Sequence, residues 1–244
     1  EQAPDCVEVT TSGTLSTLIS ADKKYSIKSL SVSGELDGDD LRFLREMAGI
    51  SVTGEKTEGT LETLDLTNAN FVEGGGCFYE KDKYNKASAL TNTVASHCFE
   101  NSTLKEIKLP MSLRSIKSDA FIGSTRLESV FIPSDVTEIG GNAFSGCSKL
   151  KSFDFPKVSK IEGGVLANCS SITKITIPET VSELSYGMFQ GCSSLTEIHI
   201  AATSLPNKGW NPFSGIDQSK ITLFVPAGYV NLYNADGDWS KFKE

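Results

Sequence analysis

The sequence predicts an α/β solenoid, a stack of short coils with a ladder of parallel strands on one face and short helical or irregular segments on the other. Two observations carry this. Consecutive segments opening at Leu104, Leu127, Leu150, Ile172 and Leu195 align almost without gaps, with starts 23, 23, 22 and 23 residues apart. Each opens on the pattern L-x-x-I-x-I, whose final apolar pair alternates as a strand does. One such unit cannot bury its apolar face alone, whereas stacked units share a continuous core. A single right-handed solenoid over residues 1–244 is therefore expected.

Residues 1–26 read as an N-terminal cap, with a strand at Val7–Val9 and a helix carrying Leu15, Leu18 and Ile19. Degenerate repeats occupy 27–103. Ile27 to Val32 is the first strand of the repeated form. Asp39 or Asp40 would cap the helix that follows, with Leu41, Leu44 and Met47 on one face. Leu61 to Leu66 is the next strand, but 43 residues separate Leu61 from Leu104. A Gly- and Lys-rich insertion of roughly 72–90 accounts for the excess, and long excursions on repeat arrays are often functional.

Regular units fill 104–200. Pro110, Pro133, Pro156 and Pro178 follow the strands directly, where a missing N–H ends a ladder. A second apolar pair comes next: Leu113/Ile116, Val136/Ile139, Val158/Ile161 and Val181/Leu184. A short helical or turn segment then carries a plug at Phe121, Phe144, Leu166 or Phe189, and small residues return the chain to the next strand. Residues 201–244 supply one more strand, Ile221 to Val225, and a closing cap with Tyr229, Leu232, Tyr233, Trp239 and Phe242.

Composition narrows the function classes. Thirty-one acidic residues against 23 basic ones give a net charge of -8, and no Lys/Arg cluster stands apart from that balance. Nucleic acid is an unfavourable partner for such a surface. The apolar runs are too short to cross a bilayer, so no membrane insertion by this chain is expected. No leader segment is visible in residues 1–6, which fits either a cytoplasmic protein or one whose leader has been removed.

The units, and Asn142-Ala143-Phe144-Ser145-Gly146-Cys147-Ser148 and Asp119-Ala120-Phe121 most closely, resemble the BspA-type leucine-rich repeat of bacterial surface proteins. The third unit departs, with Val165-Leu166 in place of Ala-Phe and one residue fewer after Pro156. Clear repeats cover about 95–200 and degenerate ones extend to 27–226. The resemblance implies export, lipoprotein-style display at the cell surface, and adhesion to a protein or glycan ligand. It also implies that Cys147, Cys169 and Cys192, at one repeat position, are small buried thiols, although the coil spacing does not forbid bridging. Cys98 falls at a core position. Cys6 and Cys77 remain, and could pair in an oxidising compartment.

Catalytic, metal and cofactor sites are not expected. The two histidines, His97 and His199, have no C-x-x-C beside them. Acidic residues fall on repeat surfaces, with no pair fixed across a cleft, and no nucleophile elbow or phosphate loop appears. Gly74-Gly75-Gly76 reads as a turn.

The outward positions of the ladder are more informative. Position three reads Ser29, Thr63, Glu106, Ser129, Ser152, Lys174, Glu197 and Thr222. Position five reads Ser31, Asp65, Lys108, Phe131, Asp154, Thr176, His199 and Phe224. Eight strands would make a face on the order of 35 Å long. Phe131 and Phe224 break its polarity, and aromatic residues dominate binding hot spots. The expected ligand face is thus Lys108, Phe131, Asp154, Lys174, Thr176, His199 and Phe224, unless the terminal cap covers Phe224. The insertion, with Phe78, Tyr79 and Tyr84, is a rival. A recognition module is the favoured reading; a scaffold component of an envelope assembly and a glycan-active enzyme are the alternatives.

Overall fold

The structure, a computed structural model, describes residues 4–209 and 211–243; Trp210 and the Lys160 side chain lie outside that description. The opening strands pair in parallel, as the repeat requires. Asp5–Val9, Ser29–Leu36, Thr63–Asp65, Glu106–Lys108 and Ser129–Phe131 succeed one another in a six-stranded sheet, to which Ala69–Phe71 adds by pairing with the end of Ser29–Leu36. Phe153–Asp154, Lys174–Ile177, Glu197–Ile200 and Thr222–Phe224 form a four-stranded sheet beyond it. These two sheets make the front of the solenoid. Leu104, Ile107 and Leu109, the apolar positions of one unit, are wholly inaccessible.

The second apolar pair of each unit also forms strands. Thr93–Val94, Ser115–Ile116, Glu138–Ile139 and Lys160–Ile161 pair in parallel, and Glu183–Leu184 pairs with Asn207–Lys208. Two-residue strands are too short to show a period in sequence, so this second ladder is legible only in three dimensions.

A third set of coil-to-coil bonds runs through the plug. No helix forms in the regular units. Instead the Phe99, Phe121 and Phe144 N–H groups donate to Ala120, Ala143 and Val165 carbonyls of the following unit at 2.7, 2.7 and 3.0 Å. Two left-handed residues flank each plug, four apart: His97/Asn101, Asp119/Gly123, Asn142/Gly146, Gly164/Asn168 and Gly187/Gly191. Asn, Asp and Gly tolerate that conformation. At Gly191 φ is +74° and a Cβ would stand 2.4 Å from Asn168 Oδ1, so a side chain there would have to displace that amide.

One column next to the plug is polar and buried. Ser124 Oγ donates to Phe99 O at 2.7 Å, and the Cys147, Cys169 and Cys192 thiols donate to Phe121, Phe144 and Leu166 carbonyls at 3.4, 3.2 and 3.2 Å. The repeat cysteine is thus a buried hydrogen-bond donor as well as a small apolar group. Burial pushes the Cys98, Cys147 and Cys192 thiols up to about 12 and raises that of Cys169 as well. Cys6 and Cys77 are both unbridged.

The third unit repacks the core. Phe99, Phe121 and Phe144 stack in a column at 5.4 and 4.9 Å. Leu166 interrupts it, and the ring that meets Phe144 instead is Phe153 of the front strand, edge-on at 4.9 Å. An aliphatic plug with an aromatic strand residue here replaces the aromatic plug and aliphatic strand residue of its neighbours. Both ladders are interrupted beside this unit. The front one stops between Phe131 and Phe153, and the second between Ile161 and Glu183.

At the N-terminus, Asp37 rather than Asp39 or Asp40 caps the helix Gly38–Met47, accepting from the Asp39 and Asp40 N–H groups. Asp40 is the reciprocal member of a capping box. Its buried carboxylate also accepts from Gly13 N at 2.7 Å and Leu15 N at 2.9 Å, which ties the first coil to the helix. The sequence places cap candidates within a run of acids, and only the entry geometry of the chain selects Asp37. Leu41, Leu44 and Met47 are buried as expected, whereas Leu18 of the short helix Leu15–Leu18 faces solvent. Gly74-Gly75-Gly76 lies against this helix start, where a Cβ on Gly38 would stand 1.9 Å from Gly76 O. At the other end Tyr233, Trp239 and Phe242 cover the last coil, with Trp239 and Phe242 edge-on to Phe213 at 4.8 and 5.1 Å. Leu232 is exposed and takes no part in that cap core.

Candidate functional site

The outward rows fall into register as their repeat positions require. Ser31, Asp65, Lys108 and Phe131 are cross-strand neighbours in the first front sheet. Asp154, Thr176, His199 and Phe224 are neighbours in the second. The seven expected ligand residues thus lie on one face but in two groups, divided by the break after Phe131.

They differ in availability. Lys108 Nζ is engaged by Asp65 at 3.0 Å. Burial works to raise the Asp65 carboxyl, but hydrogen bonds from Thr67 and Lys108 outweigh it and hold it below the usual range. His199 Nε2 lies 3.0 Å from Glu197 Oε2, and its ring stacks on Phe224 at 4.2 Å. Asp154, Lys174 and Thr176 are exposed, and neither Asp154 nor Lys174 has an ion-pair partner among the described residues. Phe131 is 45 % exposed and Phe224 43 %, so the terminal cap leaves Phe224 open. Val130 and Ile132, flanking Phe131 at core positions, are only partly buried, unlike Ile107 and Leu109 one coil earlier. The front break therefore opens apolar surface around Phe131.

A second row escapes the sequence argument. Position two carries Glu62, Lys105, Glu128 and Lys151, which pair along the ladder: Lys105–Glu62 at 2.8 Å and Lys151–Glu128 at 2.5 Å, with Arg126 adding to Glu62 at 2.8 Å. Hydrogen bonds from Lys105, then Arg126, hold the Glu62 carboxyl below its ordinary value despite some burial. The alternation of charge at one repeat position was the available signal.

The insertion proves to be anchored rather than free. Tyr79–Glu80 and Lys86–Ala87 form an antiparallel hairpin whose Phe78 and Tyr79 are buried, which corrects their expected role as exposed contacts. Buried Arg45 lies under both rings, 5.9 Å from Phe78 and 5.5 Å from Tyr79. It donates to the carbonyls of His97, of Cys98 at 2.8 Å and of Ser51 at 3.2 Å. His97 stacks on Tyr79 at 4.4 Å and meets Glu100 at 2.8 Å. Of the three aromatics Tyr84 is the exposed one, at 85 % on the hairpin tip, and the lysines Lys81, Lys83 and Lys86 around it are exposed as well.

Among the described residues no group of three or more His, Cys, Asp or Glu could hold a metal ion, and no helix is long and apolar enough to cross a membrane. Parallel front strands, inward L-x-x-I-x-I residues and turn-built backs define a leucine-rich-repeat solenoid. The BspA type leucine rich repeat region matches residues 63–222 in six copies, and the chain belongs to that family. No curated protein matches the chain. Among solved structures, it is similar to the Treponema pallidum leucine rich repeat protein, at 24% identity and TM-score 0.45, over 60% of this chain and 72% of that one. A leucine rich cell surface protein of Faecalibacterium prausnitzii is similar at 20% identity and TM-score 0.44, over 82% of this chain and 60% of that one. For a leucine-rich repeat protein of Bacteroides ovatus the values are 15%, 0.39, 91% and 69%.

Proposed function

We propose that this chain is a non-catalytic recognition module, displayed at the bacterial cell surface, that binds a host protein or glycan through the front face of the solenoid. The observation that carries the proposal is Phe131. It stands outward among the polar Ser31, Asp65 and Lys108 of the first front sheet, at a break in the ladder, with Val130 and Ile132 partly uncovered beside it. An exposed aromatic anchor beside partly uncovered apolar groups and ringed by polar ones is the pattern of an interface hot spot. Asp154 and Lys174, which lack ion-pair partners among the described residues, lie next along the face and would supply orientation. Family membership supports a binding role, and a similar protein named for the cell surface agrees with display there.

The test is a binding screen of the purified chain against matrix proteins and glycan arrays, run beside Phe131→Ala. Loss of a protein hit in the variant, by about thirtyfold or more for a central aromatic anchor, is the expected result. A protein hit that survives unchanged moves that site elsewhere, to the hairpin tip at Tyr84 first. No hit with any ligand refutes the recognition reading and favours a scaffold role.

A further inference from the structure

At the N-terminal end of the front face lies an open depression of about 900 Å³. Its floor is the start of the first sheet, with Ser29, Thr63 and Glu106 side by side at position three and Asp65 and Lys108 at position five. The loop bearing Lys28 forms one wall. Of the apolar residues that border it, Ile27, Leu30 and Leu64 are buried and Pro4 is exposed, so a ligand would meet hydroxyl, carboxylate and ammonium groups interspersed with apolar surface.

The chemistry of that surface is selective. Hydroxyls, carboxylates and ammonium groups alternate within one strand spacing, offering donors and acceptors together. Asp65 is fixed by Lys108 at 3.0 Å and by Thr67 N at 3.0 Å, so these groups lose little freedom when a ligand arrives. Glu106 and Lys28 have no ion-pair partner among the described residues and are free to bond outward. No aromatic side chain lines the depression, so the apolar anchor that a protein partner needs is missing. Asp5, Glu62, Asp65 and Glu106 outnumber Lys23, Lys28 and Lys108 in the lining, which leaves no net positive charge to hold a polyanion. A ligand dense in hydroxyls, each of which both donates and accepts, satisfies every group present.

We propose that this depression binds a neutral oligosaccharide, held by Thr63, Glu106, Lys28 and the Asp65–Lys108 pair. The inference rests on the recognition reading and deepens it: the front face carries a glycan subsite at its N-terminal end, whose Lys108 is the cross-strand neighbour of Phe131.

The experiment places the full chain on an array of neutral and acidic glycans, beside a panel of matrix proteins. The chain is compared with Thr63→Val/Glu106→Gln and with Phe131→Ala, each checked for an unchanged thermal midpoint. Neutral glycans should be retained, and weakened at least about tenfold by the double variant, which removes the Thr63 hydroxyl and the Glu106 charge. Retention should also survive a rise in salt, since no net charge is neutralised. Glycan binding indifferent to the double variant overturns the placement. Binding of acidic glycans alone, lost with salt, overturns the ligand class. A protein hit that needs Phe131 with no glycan retained overturns this inference and leaves the recognition reading standing; no hit of either kind refutes both.

Discussion

Exchanging the two anomalous residues of the third unit should show that they compensate each other. Phe153→Ile removes a ring that is 2 % exposed and that meets Phe144 and Phe155 edge-on at 4.9 and 4.8 Å. Lost ring contacts of about 0.5–1.5 kcal/mol each and an unfilled cavity place its cost near 2–3 kcal/mol. Leu166→Phe adds a ring at a fully buried site already served by Phe153, and overpacking costs about 1–3 kcal/mol. Were the two independent, the double variant would lose about 3–6 kcal/mol, the sum of those estimates. The expected loss is below about 2 kcal/mol, because a Phe at 166 would extend the column of Phe99, Phe121 and Phe144, and an Ile at 153 would match Ile175, its cross-strand neighbour. Urea denaturation of the four proteins measures the cycle, with a common slope as the control. Additivity within about 0.5 kcal/mol would show that the core does not couple these positions, and the compensation argument would fail.

Arg45→Met should destabilise the chain by about 3–5 kcal/mol, because the carbonyls of His97, Cys98 and Ser51 lose their shared donor. Denaturant titration checks this, and a loss under about 1 kcal/mol would mean that water replaces the guanidinium. Thiol labelling of the native chain at pH 8 should modify exposed Cys6 rapidly, while Cys98, Cys147, Cys169 and Cys192 react only on unfolding, because burial keeps their thiols protonated. Mass spectrometry of labelled peptides reads the pattern, and rapid native labelling of Cys169 would contradict it. The C-terminal cap should loosen in acid. Hydrogen bonds from Lys241, then Lys208, depress the Asp238 carboxyl to about 2. Its contribution is thus complete above the ordinary carboxylate range and is lost as pH falls from there through that value. Hydrogen exchange of residues 229–243 should accelerate over that window, and protection that is flat across it would place the cap's stability in Trp239 and Phe242 packing alone.

Repetition made the front of this protein legible in the chain. Once Leu104, Leu127, Leu150 and Ile172 are aligned, inward and outward positions follow from strand alternation, and the rows holding Asp65, Lys108 and Phe131 are assigned before any coordinate is known. The anomaly of the third unit is equally visible, as Leu166 for Phe and a missing residue after Pro156. Its consequence is not, because the contact of Phe153 with Phe144 and the breaks in the ladders beside this unit arise only when adjacent coils stack. The same holds for the insertion. Phe78 and Tyr79 look like exposed aromatics in a polar stretch, and only the packing of Arg45 beneath them, from a helix more than thirty residues earlier, takes them into the core. Local periodicity reports which face of a strand is dry. Which outward groups stay free for a ligand depends on partners one or two coils away, as with Lys108 on Asp65 and His199 on Glu197 and Phe224. The stacking of coils brings those partners into contact, and only the folded structure decides which groups they occupy.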